Sequence, residues 1–203
     1  MNAELPRDRF AVAAVLAMLF AHFATGARAL DFPGPAPGPA RATSEDSSVV
    51  LENDVISLSW RVEEGALKPL KLANKLSRVD IDLGSAECFR IVLANTPMPG
   101  LEILKASDLK LAGRPEVKEI PADLQAVRQT QRLAGKQIAA VFGPPHSPLS
   151  VEWKAVLRDG ANYVRQEIVV RGKGRPLEVQ EIVVWELAAP QAAVIGVVEG
   201  SPV

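Results

Sequence analysis

A chain of 203 residues with 23 Lys and Arg against 24 Asp and Glu carries a net charge of −1 at neutral pH. No basic excess exists to neutralise phosphates, so nucleic acid is not an expected partner. One cysteine, Cys88, excludes an internal disulfide framework, and two histidines exclude zinc sites built from Cys and His pairs; neither a metal nor another cofactor is expected.

Arg7 and Arg9 precede an apolar run from Phe10 to Ala24, the layout of a signal peptide. The run is shorter than the roughly 20 residues that cross a bilayer's hydrocarbon core, and Ala27-Arg28-Ala29 places small residues where a signal peptidase reads. Residues 1–29 are therefore expected to be removed, giving a secreted or periplasmic protein with no membrane attachment after cleavage. A buried N-terminal helix or an uncleaved anchor is the alternative. No Cys follows the run to take a lipid until Cys88. The 174 residues after Ala29 suit one domain, with 20 Lys and Arg against 22 Asp and Glu.

Residues 30–48 are rich in Pro, Gly and Ala, with Pro33, Pro35, Pro37 and Pro39 alternating with small residues. Proline offers no amide donor and the small residues little apolar area, so the stretch predicts an extended tether ahead of a domain spanning 49–203. The period then becomes two. Ile56, Leu58, Trp60 and Val62 alternate with Ser57, Ser59 and Arg61, predicting a strand with one apolar face. Glu63-Glu64-Gly65 predicts a turn, Leu67, Leu70 and Leu72 a returning strand, and Asn74 to Ser77 the next reversal. Val79-Asp80-Ile81-Asp82-Leu83 alternates again, with apolar residues on one side and carboxylates on the other.

Phe89 to Leu93, broken only by Arg90, predicts a buried strand that stops before the loop Thr96-Pro97-Met98-Pro99-Gly100, and Cys88 beside it suits a small buried hydrophobe. Ala122 to Leu133 reads two ways, since Leu124, Val127 and Leu133 suit part of a helical stripe while Gly135 suits the close of a hairpin. The hairpin, with Gln137 to Phe142 as its second strand, is favoured because its neighbours read as strands. After the loop Gly143 to Pro148, Val151, Trp153, Ala155 and Leu157 alternate with Glu152, Lys154 and Arg158. Asp159-Gly160 marks a turn, and Tyr163 to Val170 predicts the partner strand. Gly172-Lys173-Gly174-Arg175 opens no helix and reads as a tight basic turn rather than a phosphate loop. Leu177 to Leu187 carries apolar residues on both faces, as expected for a strand inside a sandwich rather than at its rim. The apolar run 192–198 looks like a strand needing neighbours, which suggests a sandwich incomplete at its C-terminus. Many short strands and few good helices predict a mainly β fold, an antiparallel two-sheet β-sandwich.

The chemistry available is narrow. His146 is the one histidine after Ala29 and sits in a proline-flanked loop, with Ser147 and Ser150 nearby but no spacing that suggests a triad. Asp80, Asp82, Glu152, Glu167 and Glu181 lie on predicted strands and are the carboxylates a glycosidase would draw on. Glu167 and Glu181 are expected across from each other on adjacent strands, with Arg165 as a compensating partner. Trp60, Trp153 and Trp185 offer indole faces for a sugar platform, and equally suit core filling.

The segment Leu51-Glu52-Asn53-Asp54-Val55-Ile56-Ser57-Leu58-Ser59-Trp60, continuing to Gly65-Ala66-Leu67, resembles the opening of galactose-mutarotase-like β-supersandwich domains. A second segment, Val151-Glu152-Trp153-Lys154-Ala155 through Asp159-Gly160 to Glu167, is similar to the central hairpin of such domains at the N-terminus of some secreted glycoside hydrolases and related bacterial proteins. The two cover about a third of the chain after Ala29, and their motifs are largely strand-turn-strand grammar. The resemblance implies a supersandwich-like fold packed beside a C-terminal catalytic domain and contributing to carbohydrate binding. Aldose epimerases of this fold use histidines with a glutamate, which the lone His146 does not supply, so no catalytic residue is carried over.

The leading expectation is thus a non-catalytic carbohydrate-associated domain, with Trp60, Trp153, Trp185, Glu167 and Glu181 as candidate sugar contacts, at the N-terminal end of an exported glycoside-hydrolase-like protein. A carbohydrate-active enzyme, epimerase or hydrolase, using strand carboxylates is one rival. An exported structural or adhesion sandwich is the other.

Overall fold

The computed structural model describes residues 34–94, 103–143, 149–172 and 178–187, and the packing below belongs to the unit that begins at Ala36. His146, the loop at 96–100, Lys173 to Arg175 and the run 192–198 lie outside the described residues. The chain is mainly β and antiparallel, a β-sandwich. Among the described residues, no helix is long and apolar enough to cross a membrane.

The first sheet has five strands in sequence order: β1 (Arg41–Ser44), β2 (Ser48–Glu52), β3 (Ile56–Glu63), β4 (Ala66–Asn74) and β5 (Val79–Asp82). It starts inside the stretch expected to be a tether. β1 pairs Arg41 with Glu52 through Ser44 with Val49, and Ala40 ahead of it is buried. Even Pro37 and Gly38 contribute their carbonyls, which accept from the backbone N–H groups of Asp54 and Gly160, each at 2.9 Å. A segment poor in apolar area still joins a sheet when ladder bonds and neighbouring loops satisfy its backbone.

The β3–β4 hairpin forms as predicted. Glu64 and Gly65 both take positive φ, 50° and 76°, the two-residue turn whose twist matches antiparallel strands. Its returning strand carries an irregularity that the leucines did not announce. Trp60 lies opposite Pro69 but Ser59 lies opposite Lys71, so Leu70 is the extra residue of a bulge. The bulge tolerates a proline within a strand flanked on both sides, and it puts Leu67 and Leu72 on one face despite their odd separation.

The second sheet has the order β11 (Arg165–Gly172), β10 (Leu149–Arg158), β9 (Gly135–Phe142), β8 (Glu116–Ile120). The hairpin predicted around Asp159-Gly160 is β10 and β11, with Gly160 at φ 72°. The other predicted hairpin is wrong in its first arm. Ala122 to Leu133 forms turns and a short 3-10 helix at Gln129–Arg132, and β9 pairs instead with β8. Leu124 and Val127, which suited a helical stripe, are exposed, and Glu116-Val117-Lys118-Glu119-Ile120 supplies the strand.

A third sheet places β6 (Arg90–Ala94) between β12 (Glu178–Val183) and β7 (Ile103–Lys105). β6 is the buried strand expected from Phe89 to Leu93. Among the described residues β12 pairs on one side only, and it is largely exposed, contrary to the expectation of an interior strand. Apolar residues on both faces mark an interior strand only when neighbours exist on both sides.

The inner faces of the first two sheets meet, and side chains from all three join one core. At its centre the rings of Trp60 and Trp153 meet edge-on, centroids 5.3 Å apart at 77°, and Phe89 and Phe142 do the same at 5.0 Å and 90°. Asn53 is the buried polar residue at the margin. Its Oδ1 accepts from the N–H groups of Val55 and Ile56, at 3.0 and 3.1 Å, and its Nδ2 donates to the Ala161 carbonyl at 2.6 Å, tying the β2–β3 turn to the loop after β10.

Candidate functional site: the outer face of the four-stranded sheet

Trp60 and Trp153 are wholly buried, so neither offers an indole face to a sugar. Trp153 donates from Nε1 to Gln166 Oε1 at 2.5 Å, across the β10–β11 pair, while Trp60 Nε1 finds no acceptor among the described residues. Trp185 is half-buried and packs on the core, away from any three-ring platform. Trp60 and Trp153 fill the core from inward-facing rows, whereas Trp185 is half-buried against it.

Glu167 and Glu181 do not face each other. β11 and β12 belong to different sheets, since β12 pairs with β6. Glu167 receives the Arg165 guanidinium, Nη2 to Oε1 2.5 Å, two residues away on the same face. Glu181 is held by Arg90, Nη1 to Oε2 3.1 Å, and that guanidinium also donates from Nε to Glu186 at 3.0 Å. Of the other strand carboxylates, Asp80 pairs with Lys71 at 3.0 Å and Asp82 Oδ1 accepts from the Gly84 N–H at 2.9 Å. Among the described residues no cluster of three or more His, Cys, Asp or Glu is placed to hold a metal.

Cys88 is buried, and its thiol lies 3.8 Å from the Leu67 carbonyl, to which it donates. Burial pushes its pKa far up, the adjacent Glu87 carboxylate adds to the rise, and the Trp60 indole opposes it. Such a thiol stays protonated and inert.

What the fold does assemble is a groove of about 390 Å³ on the outer face of β8, β9 and β10, walled on one side by Ala112 to Arg114. Ladder register builds it. Glu116 lies opposite Ala139 and Ala139 opposite Lys154, while Lys118 lies opposite Gln137 and Val141 opposite Glu152. Residues opposite each other share a face, so small Ala139 leaves the floor low between the longer polar chains of Glu116 and Lys154.

The carboxylates of this groove are held ionised. Glu116 is pushed below the usual carboxylate range by hydrogen bonding to Lys118, Nζ to Oε2 2.8 Å, and by that cation's field. Glu152 is lowered by Arg171, whose Nη1 donates to Oε2 at 2.6 Å, then by the charges of Arg171 and Lys154. Lys118 is raised by the same bond to Glu116. The face therefore presents fixed acceptors and donors rather than a proton-transfer pair, because a general acid needs a raised carboxyl. Sequence reasoning found Glu152 but missed Glu116, Lys118 and Gln137. Residues 116–120 carry no period-two pattern, since Val117 and Ile120 are three apart, so the strand had little local signal and the apolar residues of 122–133 outweighed it.

No family model, no curated protein and no solved structure matches this chain.

Proposed function

We propose that the chain is an exported, non-catalytic carbohydrate-associated β-sandwich domain working beside the catalytic part of a glycoside-hydrolase-like protein, with the outer-face groove as its glycan contact. The groove carries this reading. Sugar hydroxyls both donate and accept, and a rigid floor bearing Gln137, Lys154, Glu116 and Glu152 offers both kinds of partner at fixed spacing. The indole platform first suggested by the tryptophans is replaced by this polar face. Within the groove the lowered Glu116 and Glu152 serve as ionised acceptors, which suits the binding of hydroxyl donors.

Calorimetric titration of the full chain with a panel of neutral and uronate-containing oligosaccharides tests the reading. Heat of binding is expected for at least one glycan, with about tenfold weaker affinity in Gln137→Ala, equivalent to about 1.4 kcal/mol. Silence across the panel, or binding untouched by Gln137→Ala and Lys154→Ala together, overturns it.

A further inference from the structure

The outer face of the four-stranded sheet carries more positive charge than its own carboxylates neutralise. Strand parity puts three carboxylates there, and each holds a cation of its own. Glu116 takes Lys118 at 2.8 Å, Glu152 takes Arg171 at 2.6 Å and Glu167 takes Arg165 at 2.5 Å. Two further cations share the face. Arg158, opposite Gly135, donates from Nη1 to the carbonyls of Leu133 and Pro121, at 2.6 and 3.3 Å, and meets no carboxylate among the described residues.

Lys154 is the other, and it stands in the middle. It lies between Ala139 of β9 and Glu167 of β11, half-buried, and lines the groove. Among the described residues its ammonium forms no ion pair, because Glu167 bonds to Arg165, and Glu152, which feels the Lys154 charge, bonds to Arg171. The outer rows of β8 to β11 thus hold two cations more than carboxylates, in a chain whose net charge is −1. A second donor is idle beside Lys154. Arg165 lies opposite Val156, the next outward residue along β10, and its Nε is buried with no acceptor among the described residues. A half-buried charge is screened less than one on open surface, and a neutral hydroxyl cannot balance it as a carboxylate or sulfate can.

We infer that the groove takes an acidic glycan, with a carboxylate or sulfate of the sugar seated on Lys154 Nζ. The inference rests on the glycan-binding reading above and narrows it. The full chain is titrated calorimetrically with oligomers of galacturonate, glucuronate and mannuronate and with their methyl esters, which keep the ring hydroxyls and remove the charge. Sulfated galactan oligosaccharides and their desulfated counterparts form the second arm, so the responding pair tells carboxylate from sulfate. In at least one matched pair the acidic member is expected to bind about tenfold tighter than the neutral one. That advantage should fall as salt rises, vanish in Lys154→Met and persist in Lys154→Arg. Neutral members binding as tightly as acidic ones would overturn the inference and leave the glycan-binding reading standing. So would an advantage that survives Lys154→Met. Silence from every oligosaccharide, acidic and neutral, would overturn both.

Discussion

β10 and β12 both carry Val, Ile, Leu or Trp among charged residues, yet they fare differently. β10 lies between β9 and β11, and Val151, Trp153, Ala155 and Leu157 are buried along it. Among the described residues β12 has a partner on one side, β6, and its apolar residues stay largely exposed. The contrast is sharpest within one ladder pair: Ile91 of β6 is 0% exposed and Ile182 of β12, directly opposite it, is 42% exposed. Burial in a sandwich is thus set by rank in the sheet order, and a strand's own pattern sets only which face turns inward.

The largest test of that statement is at the centre. Trp153→Ala removes the ring that meets Trp60 and strips Gln166 Oε1 of its donor, and a loss of about 3–5 kcal/mol is expected in denaturant unfolding. A loss below about 1 kcal/mol would mean the two sheets do not share a packed interior. The Ile91 and Ile182 pair comes next. Ile91→Ala should cost about 2–5 kcal/mol, whereas Ile182→Ala, deleting the same atoms from a half-open site, should cost about 1 kcal/mol. Equal losses would erase the distinction between centre and edge. Asn53→Ala falls between the two, at about 1–3 kcal/mol, because it leaves the Val55 and Ile56 N–H groups and the Ala161 carbonyl without their partner.

These particulars also mark what could be read from the amino acids alone. The turn at Glu64-Gly65 and the β10–β11 hairpin were legible because local chemistry dictates them: a positive φ at glycine, and period-two alternation on both sides of Asp159-Gly160. β12's place at a rim was not, since strand order is settled by contacts between segments far apart in sequence. The tether ended too late at Ser48 because composition reports apolar area but not the hydrogen bonds that carry Arg41–Ser44 into a sheet. For the candidate site, Glu152 was legible from its outward parity. Its companions Glu116, Lys118 and Gln137 depended on β8 pairing with β9, which the apolar spacing of Leu124, Val127 and Leu133 concealed.

The smallest effect tests the boundary between interior and rim. Glu52, at the end of β2, accepts from Lys75 Nζ at 2.9 Å, and the same ammonium donates to the Asn53 carbonyl at 2.7 Å. Its pKa is lowered, first by the hydrogen bond to Lys75, against a desolvation cost, with the Lys75 and Arg41 charges adding to the fall. A carboxyl lower in the folded state than in the unfolded chain, where it titrates near about 4.3, stabilises the fold above that value. The contribution then disappears as the pH drops through the folded value. Both partners are about one-third exposed, so water and salt screen the pair, and Glu52→Gln should cost on the order of 0.5 kcal/mol at neutral pH. That cost should vanish below the folded-state titration and shrink in molar salt. A cost of several kcal/mol, insensitive to salt, would place Glu52 inside the core's dielectric and move the boundary outward past the end of β2.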